Sequence, residues 1–128
     1  MPFPGPRAEN PSEVLYEHHA EMCKVFSHPT RLRILNILRE RELSVATIAR
    51  ELGVLLGTVS PHLLMMRRRR VLVSRKQENR VFYRLANPKM LHAFDLIREI
   101  LCEQLRKEGL LVREIEQAGA RKLRGHGD

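Results

Sequence analysis

The chain has 128 residues, 43% of them hydrophobic, enough for one domain with a modest core, and no apolar run approaches the roughly 18 residues that span a bilayer. Its formal charge is +8, and eight of its 23 basic residues fall within residues 67–84 against the single acid Glu78, a net +7 in that window. So local a charge on ordered structure is the footprint of a nucleic-acid partner, with a solvated basic face as the alternative.

The first eleven residues contain Pro2, Pro4, Pro6 and Pro11, and residues 1–11 are expected to be a flexible arm. Ser12 is a plausible N-cap for a first helix ending near Ser27, with Val14, Leu15, Met22, Cys23, Val25 and Phe26 as its apolar residues. Pro29 suits the first turn of a second helix, whose stripe is Leu32, Leu35 and Leu38 with Ile34 and Ile37 beside it. Ser44 caps a short third helix that buries Val45, Ile48, Ala49 and Leu52 and stops at Gly53. A fourth helix follows over residues 57–70, and two short helices so tightly joined form a helix-turn-helix. Residues 71–76 and 80–85 read as the arms of a β-hairpin around a turn at Gln77, Glu78 and Asn79, with basic residues on both arms. Asn87 and Pro88 start a fifth helix carrying Leu91, Phe94, Ile97, Ile100, Leu101 and Leu105, too apolar for one small domain to cover. Gly109 bends or ends it; Leu110, Leu111, Val112 and Ile115 are placed to continue it, and residues 119–128 read as a flexible basic tail. The domain proper therefore spans residues 12–118: mainly α with a small β-hairpin, a winged helix.

Four runs, FSHPTRLRILNIL, ELSVATIARELGV, GTVSPHLLMMR and VFYRLANP, occur in order and at the right spacing over about residues 20 to 105. In them the chain resembles the ArsR/SmtB family of dimeric winged-helix bacterial repressors. The resemblance implies a homodimer built on the first and last helices, binding an imperfect inverted repeat in a promoter and released when an inducer binds. It also marks two departures: Leu55 stands where the family usually has a serine-like cap, and Arg70 where it usually has glycine. An arginine in a left-handed turn costs on the order of 1 kcal/mol.

With residues about 100° apart, Val59, Leu63 and Met66 share the face of the fourth helix that packs inward. The opposite face carries Gly57, Pro61, Leu64 and Arg68, flanked by Thr58, Ser60 and Arg67, and is the groove-facing candidate. Pro61 and Leu64 offer only apolar contact with thymine methyls, while Thr58 and Ser60 can hydrogen-bond base edges or phosphates. His62 lies between the two faces, with a structural or phosphate-contacting role favoured over base readout. The arginines at 67–70, with Arg75, Lys76 and Arg80 of the hairpin, would position the protein on phosphates of double-stranded DNA.

The signal is harder to read. The family's Cys-x-Cys metal site maps onto Ser44 and Ala46, so that thiolate pair is missing, and His92, Asp95 and Glu99 lack the following histidine of the zinc-type site. Cys23 and Cys102 are the inducer-sensing candidates. They fit neither a disulfide framework nor a CxxC zinc site, which leaves three readings: small buried hydrophobes, redox or reactive-sulfur sensors, or ligands for a soft metal or arsenite. His18 and His19 read as exposed surface rather than ligands. No cofactor is required on this reading, and the metal or metalloid identity of any inducer stays open. The chain lacks a glycine-rich phosphate loop, a nucleophile elbow and clustered carboxylates, so an enzyme is not expected. A constitutive architectural DNA-binding protein of the same fold, or a winged helix binding RNA or protein, are the competing classes. With no secretory leader and no membrane segment, the chain reads as cytoplasmic, its thiols reduced.

Overall fold

The computed structural model describes residues 10–109. Most of the expected arm, the continuation of the fifth helix beyond Gly109 and the tail at 119–128 lie outside those residues.

The first helix, α1 (Pro11–Cys23), is capped by Asn10 rather than Ser12: the Asn10 side chain accepts from the amides of Ser12 and Glu13 at 3.1 and 3.4 Å. Pro11 starts this helix instead of blocking it, because the first helical position has no hydrogen bond for its missing N–H to lose. α1 ends four residues earlier than expected, giving way to a 3₁₀ turn over Lys24–Ser27 that buries Val25. Nothing in α1 itself is buried, and Leu15 and Tyr16 are largely exposed.

α2 (Pro29–Leu38) is capped by the His28 ring, whose Nδ1 accepts from the Thr30 amide at 3.1 Å. Ile34, Leu35, Ile37 and Leu38 are its buried residues, whereas Leu32 is only half-buried. A two-residue strand, β1 (Leu43–Ser44), then runs into α3 (Val45–Leu52), which buries Ile48 and Ala49. Gly53 at φ 70 closes α3, its amide bonding to Arg50 O and the Val54 amide to Ala49 O.

α4 (Leu56–Arg68) starts after only three residues. β2 (Leu72–Gln77) and β3 (Arg80–Leu85) form the hairpin, pairing Gln77 with Arg80, so Gln77 is a strand residue and the turn is only Glu78 and Asn79. The sheet order is β1-β3-β2, all antiparallel, with Leu43 opposite Tyr83 and Ser44 opposite Phe82. The sequence pattern did not reveal β1, since two residues have no periodicity and only pairing with β3 makes them a strand. Ser44 is therefore both a sheet residue and the cap of α3: its hydroxyl accepts from the Thr47 amide at 3.2 Å and receives Arg80 Nη2 at 3.4 Å. This buried hydroxyl is fully employed, as burial of a polar group requires. The core comprises Ile34, Leu35, Leu38, Ile48, Val59, Leu63, Met66, Val71 and Leu72 with Tyr83 and Leu85 of the hairpin. Helix, tight turn, helix and hairpin make a winged helix-turn-helix.

The chain divides into two compact units, the second beginning at His92. α5 (Lys89–Lys107) starts with the Lys89 amide bonded to Asn87 Oδ1 at 3.0 Å, as the cap reading required. Phe94 is its one buried residue, with the Arg98 guanidinium 5.0 Å from the ring centre. Leu96, Ile97, Ile100 and Leu101 are exposed. Among the described residues no helix is long and apolar enough to cross a membrane.

Candidate nucleic-acid interface

The inward face of α4 is the one its spacing implies, for Val59, Leu63 and Met66 are buried. Gly57, Thr58, Pro61, Arg67 and Arg68 are exposed, and Ser60, His62 and Leu64 are half-buried. Pro61 sits in the second turn of the helix, where its ring removes one backbone hydrogen bond. Ser60 Oγ donates to Leu56 O at 2.9 Å, so toward a ligand its hydroxyl is mainly an acceptor.

Both ends of α4 lack their usual terminators. Leu55 at the N-cap makes no side-chain bond to the helix. At the other end Arg70 adopts φ 62, its amide bonding to Arg67 O and the Val71 amide to Met66 O. That is the closing pattern that Gly53 makes for α3, with an arginine bearing the left-handed strain.

The register of the hairpin separates basic residues that the sequence places together. Arg75 lies opposite Phe82, and Arg80, two residues before Phe82, shares that face. The two guanidiniums lie 4.7 and 5.2 Å from the Phe82 ring centre. Lys76 points to the other face, which it shares with Ser74, and Ser74 accepts from Arg67 Nη1 at 3.3 Å. Lys76 and Arg67 thus lie on the α4 side of the hairpin and Arg75 and Arg80 on the far side.

Arg75 is heavily engaged. Its Nε and Nη2 reach Glu42 Oε1 at 2.7 and 2.6 Å, and Nη1 donates to Gln77 Oε1 at 2.6 Å. The hydrogen bond from Arg75 holds the Glu42 carboxyl below its usual range, and the same bond raises Arg75. Arg69 pairs with Glu21 at 2.7 Å, tying the end of α4 to α1, and Glu21 also takes Lys24 at 2.9 Å. The Lys24 hydrogen bond, with the charge of Arg69, holds the Glu21 carboxyl down. Sequence reasoning missed Glu21 and Glu42, because each lies tens of residues from its arginine and no local pattern links them.

His62 is packed at the base of α4. Its ring centre lies 4.4 Å from that of His28, and Arg31 Nη1 stands 3.4 Å from its Nδ1. A guanidinium can only donate, so Nδ1 accepts and the neutral ring carries its proton on Nε2. Burial pushes His62 below the ordinary histidine range, with the charges of His28 and Arg31 adding to the effect. Arg31 is itself anchored on Val25 O and Lys24 O at 3.3 and 2.8 Å. This contact of α2 with α4 explains a histidine between the two faces of the helix.

In the single chain Cys23 is exposed and Cys102 half-buried, both as free thiols. Among the described residues no three histidine, cysteine or carboxylate groups converge as metal ligands. His92 and Glu99 are exposed on α5.

A short helix, a tight turn, a helix with a polar and basic outer face, and an arginine-bearing hairpin define the winged helix-turn-helix class of regulator. The sequence pattern of the family described as "Bacterial regulatory protein, arsR family" matches residues 28–72. The chain is 30% identical over 110 residues to the uncharacterised HTH-type transcriptional regulator Rv0081 of Mycobacterium tuberculosis, an alignment covering 85% of this chain and 96% of the relative. It is 36% identical over 85 residues to the transcriptional repressor PagR of Bacillus anthracis, covering 66% of this chain and 85% of PagR. Among solved structures it is similar to the homodimeric winged helix-turn-helix DNA-binding domain Mb0332 of Mycobacterium bovis, with a TM-score of 0.70, 26% identity, and coverage of 77% of this chain and 91% of that one. The chain belongs to the ArsR family of bacterial regulatory proteins.

Proposed function

We propose that the protein is a homodimeric transcriptional repressor that binds an inverted repeat in double-stranded promoter DNA and is released from it by a chemical signal. The observation that carries this reading is the outer face of α4, where Gly57, Thr58, Pro61 and Arg68 stand exposed beside Arg67 and the basic hairpin. Ser60, His62 and Leu64 border that face. Arg67, Arg68, Lys76 and Arg80 supply the phosphate contacts, and Arg75 joins them only where it leaves Glu42. The exposed apolar residues of α1 and α5 support dimerisation, since a lone chain leaves Leu15, Tyr16, Ile97 and Ile100 in water. No enzymatic role is proposed, and a chromosomal target puts the protein in the cytoplasm.

Cys23 and Cys102 are the proposed sensing groups, acting as thiols toward oxidants or reactive sulfur or as ligands for a soft metal or arsenite. In the single chain the Cys23 thiol is open to reagents. The deciding experiment is fluorescence anisotropy of the reduced, metal-free protein with DNA from upstream of its own gene, repeated after polysulfide, peroxide and arsenite. Tight binding that weakens on treatment, and no longer weakens in the Cys23→Ser, Cys102→Ser double variant, is the expected result. Binding that no treatment changes would favour the constitutive architectural protein. Competition by duplex RNA as strong as by DNA would sink the reading altogether. In cells, a reporter behind that promoter should rise when the gene is deleted; a fall would make the protein an activator.

A further inference from the structure

α4 presents few groups able to read a base by hydrogen bonding. Residues 55–66 contain no Arg, Lys, Asn or Gln, the side chains that pair bidentately with guanine or adenine. The polar members of that stretch are Thr58, Ser60 and His62. Two of them are engaged within the protein: the Ser60 hydroxyl donates to Leu56 O at 2.9 Å, and His62 Nδ1 faces Arg31 Nη1 at 3.4 Å.

What this end of the helix offers instead is apolar. Leu55 is 80% exposed and Leu56 51% exposed. Leu55 occupies the cap position without making a cap bond, so its side chain serves neither the helix end nor the core. Beside them Gly57 leaves open space, a Cβ there meeting nothing within 4 Å. In helix-turn-helix docking the N-terminal residues of the second helix meet base edges in the major groove. The apolar feature on those edges is the C5-methyl group of thymine.

We propose that Leu55 and Leu56 are specificity-determining residues that read thymine C5-methyl groups, so that methyl contacts, more than donors and acceptors, select the half-site. The inference rests on the DNA-binding function proposed above and names what α4 detects in its target.

Full-length protein is used to select sites from a random duplex library, and the best duplex is then compared by anisotropy with copies in which single thymines are replaced by deoxyuridine. Uracil pairs with adenine through the same groups and lacks only the methyl. At one or more positions per half-site the exchange should weaken binding about fourfold, the equivalent of about 0.8 kcal/mol for one apolar carbon. The variants Leu55→Ser and Leu56→Ser, changed at exposed positions, should keep their fold by circular dichroism and their salt dependence while losing the thymine–uracil difference. A selected duplex indifferent to uracil at every position would overturn the proposal. Leucine variants that still discriminate thymine from uracil would overturn it as well. Failure to select any duplex over random DNA would bring down the DNA-binding reading, and this one with it.

Discussion

Glu42 sits where an acid would work against DNA, and its carboxylate occupies Arg75 at 2.6 Å. Such an exposed pair is worth little to stability. Its main effect is on charge, because it neutralises one arginine of the hairpin. Glu42→Ala should therefore leave the denaturation midpoint nearly unchanged and tighten DNA binding at low salt. The slope of log affinity against log salt should steepen by up to about 0.9 for each subunit whose Arg75 gains a phosphate. An unchanged slope would show that Arg75 never reaches the backbone. His62 sets a pH dependence. Burial lowers its proton affinity in the folded protein, so the folded state binds fewer protons than the unfolded one once pH drops below the free-histidine pKa of about 6.5. The stabilising contribution of the neutral ring is complete above that pH and is lost as pH falls through the depressed folded value. Urea midpoints between pH 7.5 and 5.5 should fall more for the wild type than for His62→Gln, and equal falls would assign the acid sensitivity elsewhere.

The two Schellman-like closures, one on Gly53 at φ 70 and one on Arg70 at φ 62, form a natural comparison between elements. Gly53→Ala should destabilise by about 1 kcal/mol, the cost of a Cβ in the left-handed region. Arg70→Gly should relieve a similar strain, offset in part by roughly 0.5 kcal/mol of added chain entropy, for a small net gain in urea stability. On α5, Ile97 and Ile100 are 54% and 55% exposed, and replacing both with glutamate should turn the proposed dimer into a monomer by light scattering without loss of helix content. A dimer that persists would place the subunit contact elsewhere. These elements also show what the sequence made legible. The bounds of α3 were readable because its cap and its closing glycine act within ten residues, but of its expected stripe only Ile48 and Ala49 are buried, with Val45 and Leu52 half-buried at its ends. The inner face of α4 was readable from its 3.6-residue period. The start of α1 lies two residues before the expected cap because Asn10 and Ser12 are both good caps and Pro11 looks like a breaker until it occupies the first helical position. The tilted His28–His62 ring contact and the Glu42–Arg75 and Glu21–Arg69 pairs bring together residues more than thirty apart, and only the folded chain reveals them. So too with the candidate site: its groove-facing residues follow from helical spacing, whereas the division of the basic hairpin residues between two faces depends on a register the sequence leaves open.

Across the whole molecule the positive charge is concentrated, yet only part of it is uncommitted. Arg69 is spent on α1 and Arg75 on Glu42, while Arg67 and Arg68 are exposed on the outer side of α4. A dimer that neutralises roughly six to eight phosphates should show a salt slope of about −5 to −7. Arg67→Ala with Arg68→Ala removes four charges from that dimer, so its slope should become shallower by about 3 to 4, with weakening across all sequences rather than a change of preference. A loss confined to one sequence would make these arginines base readers. The joint at Ser44 reaches beyond charge. One buried hydroxyl starts α3, sits in the sheet beside Phe82 and receives Arg80, so the hairpin cannot swing away from the helices without unmaking the start of α3. The hairpin and the helices it rests on should therefore move together. On DNA, the phosphates protected by the hairpin should fall at a fixed number of nucleotides from the bases that α4 touches, and chemical footprints of strong and weak operators should differ in depth while keeping the same outline.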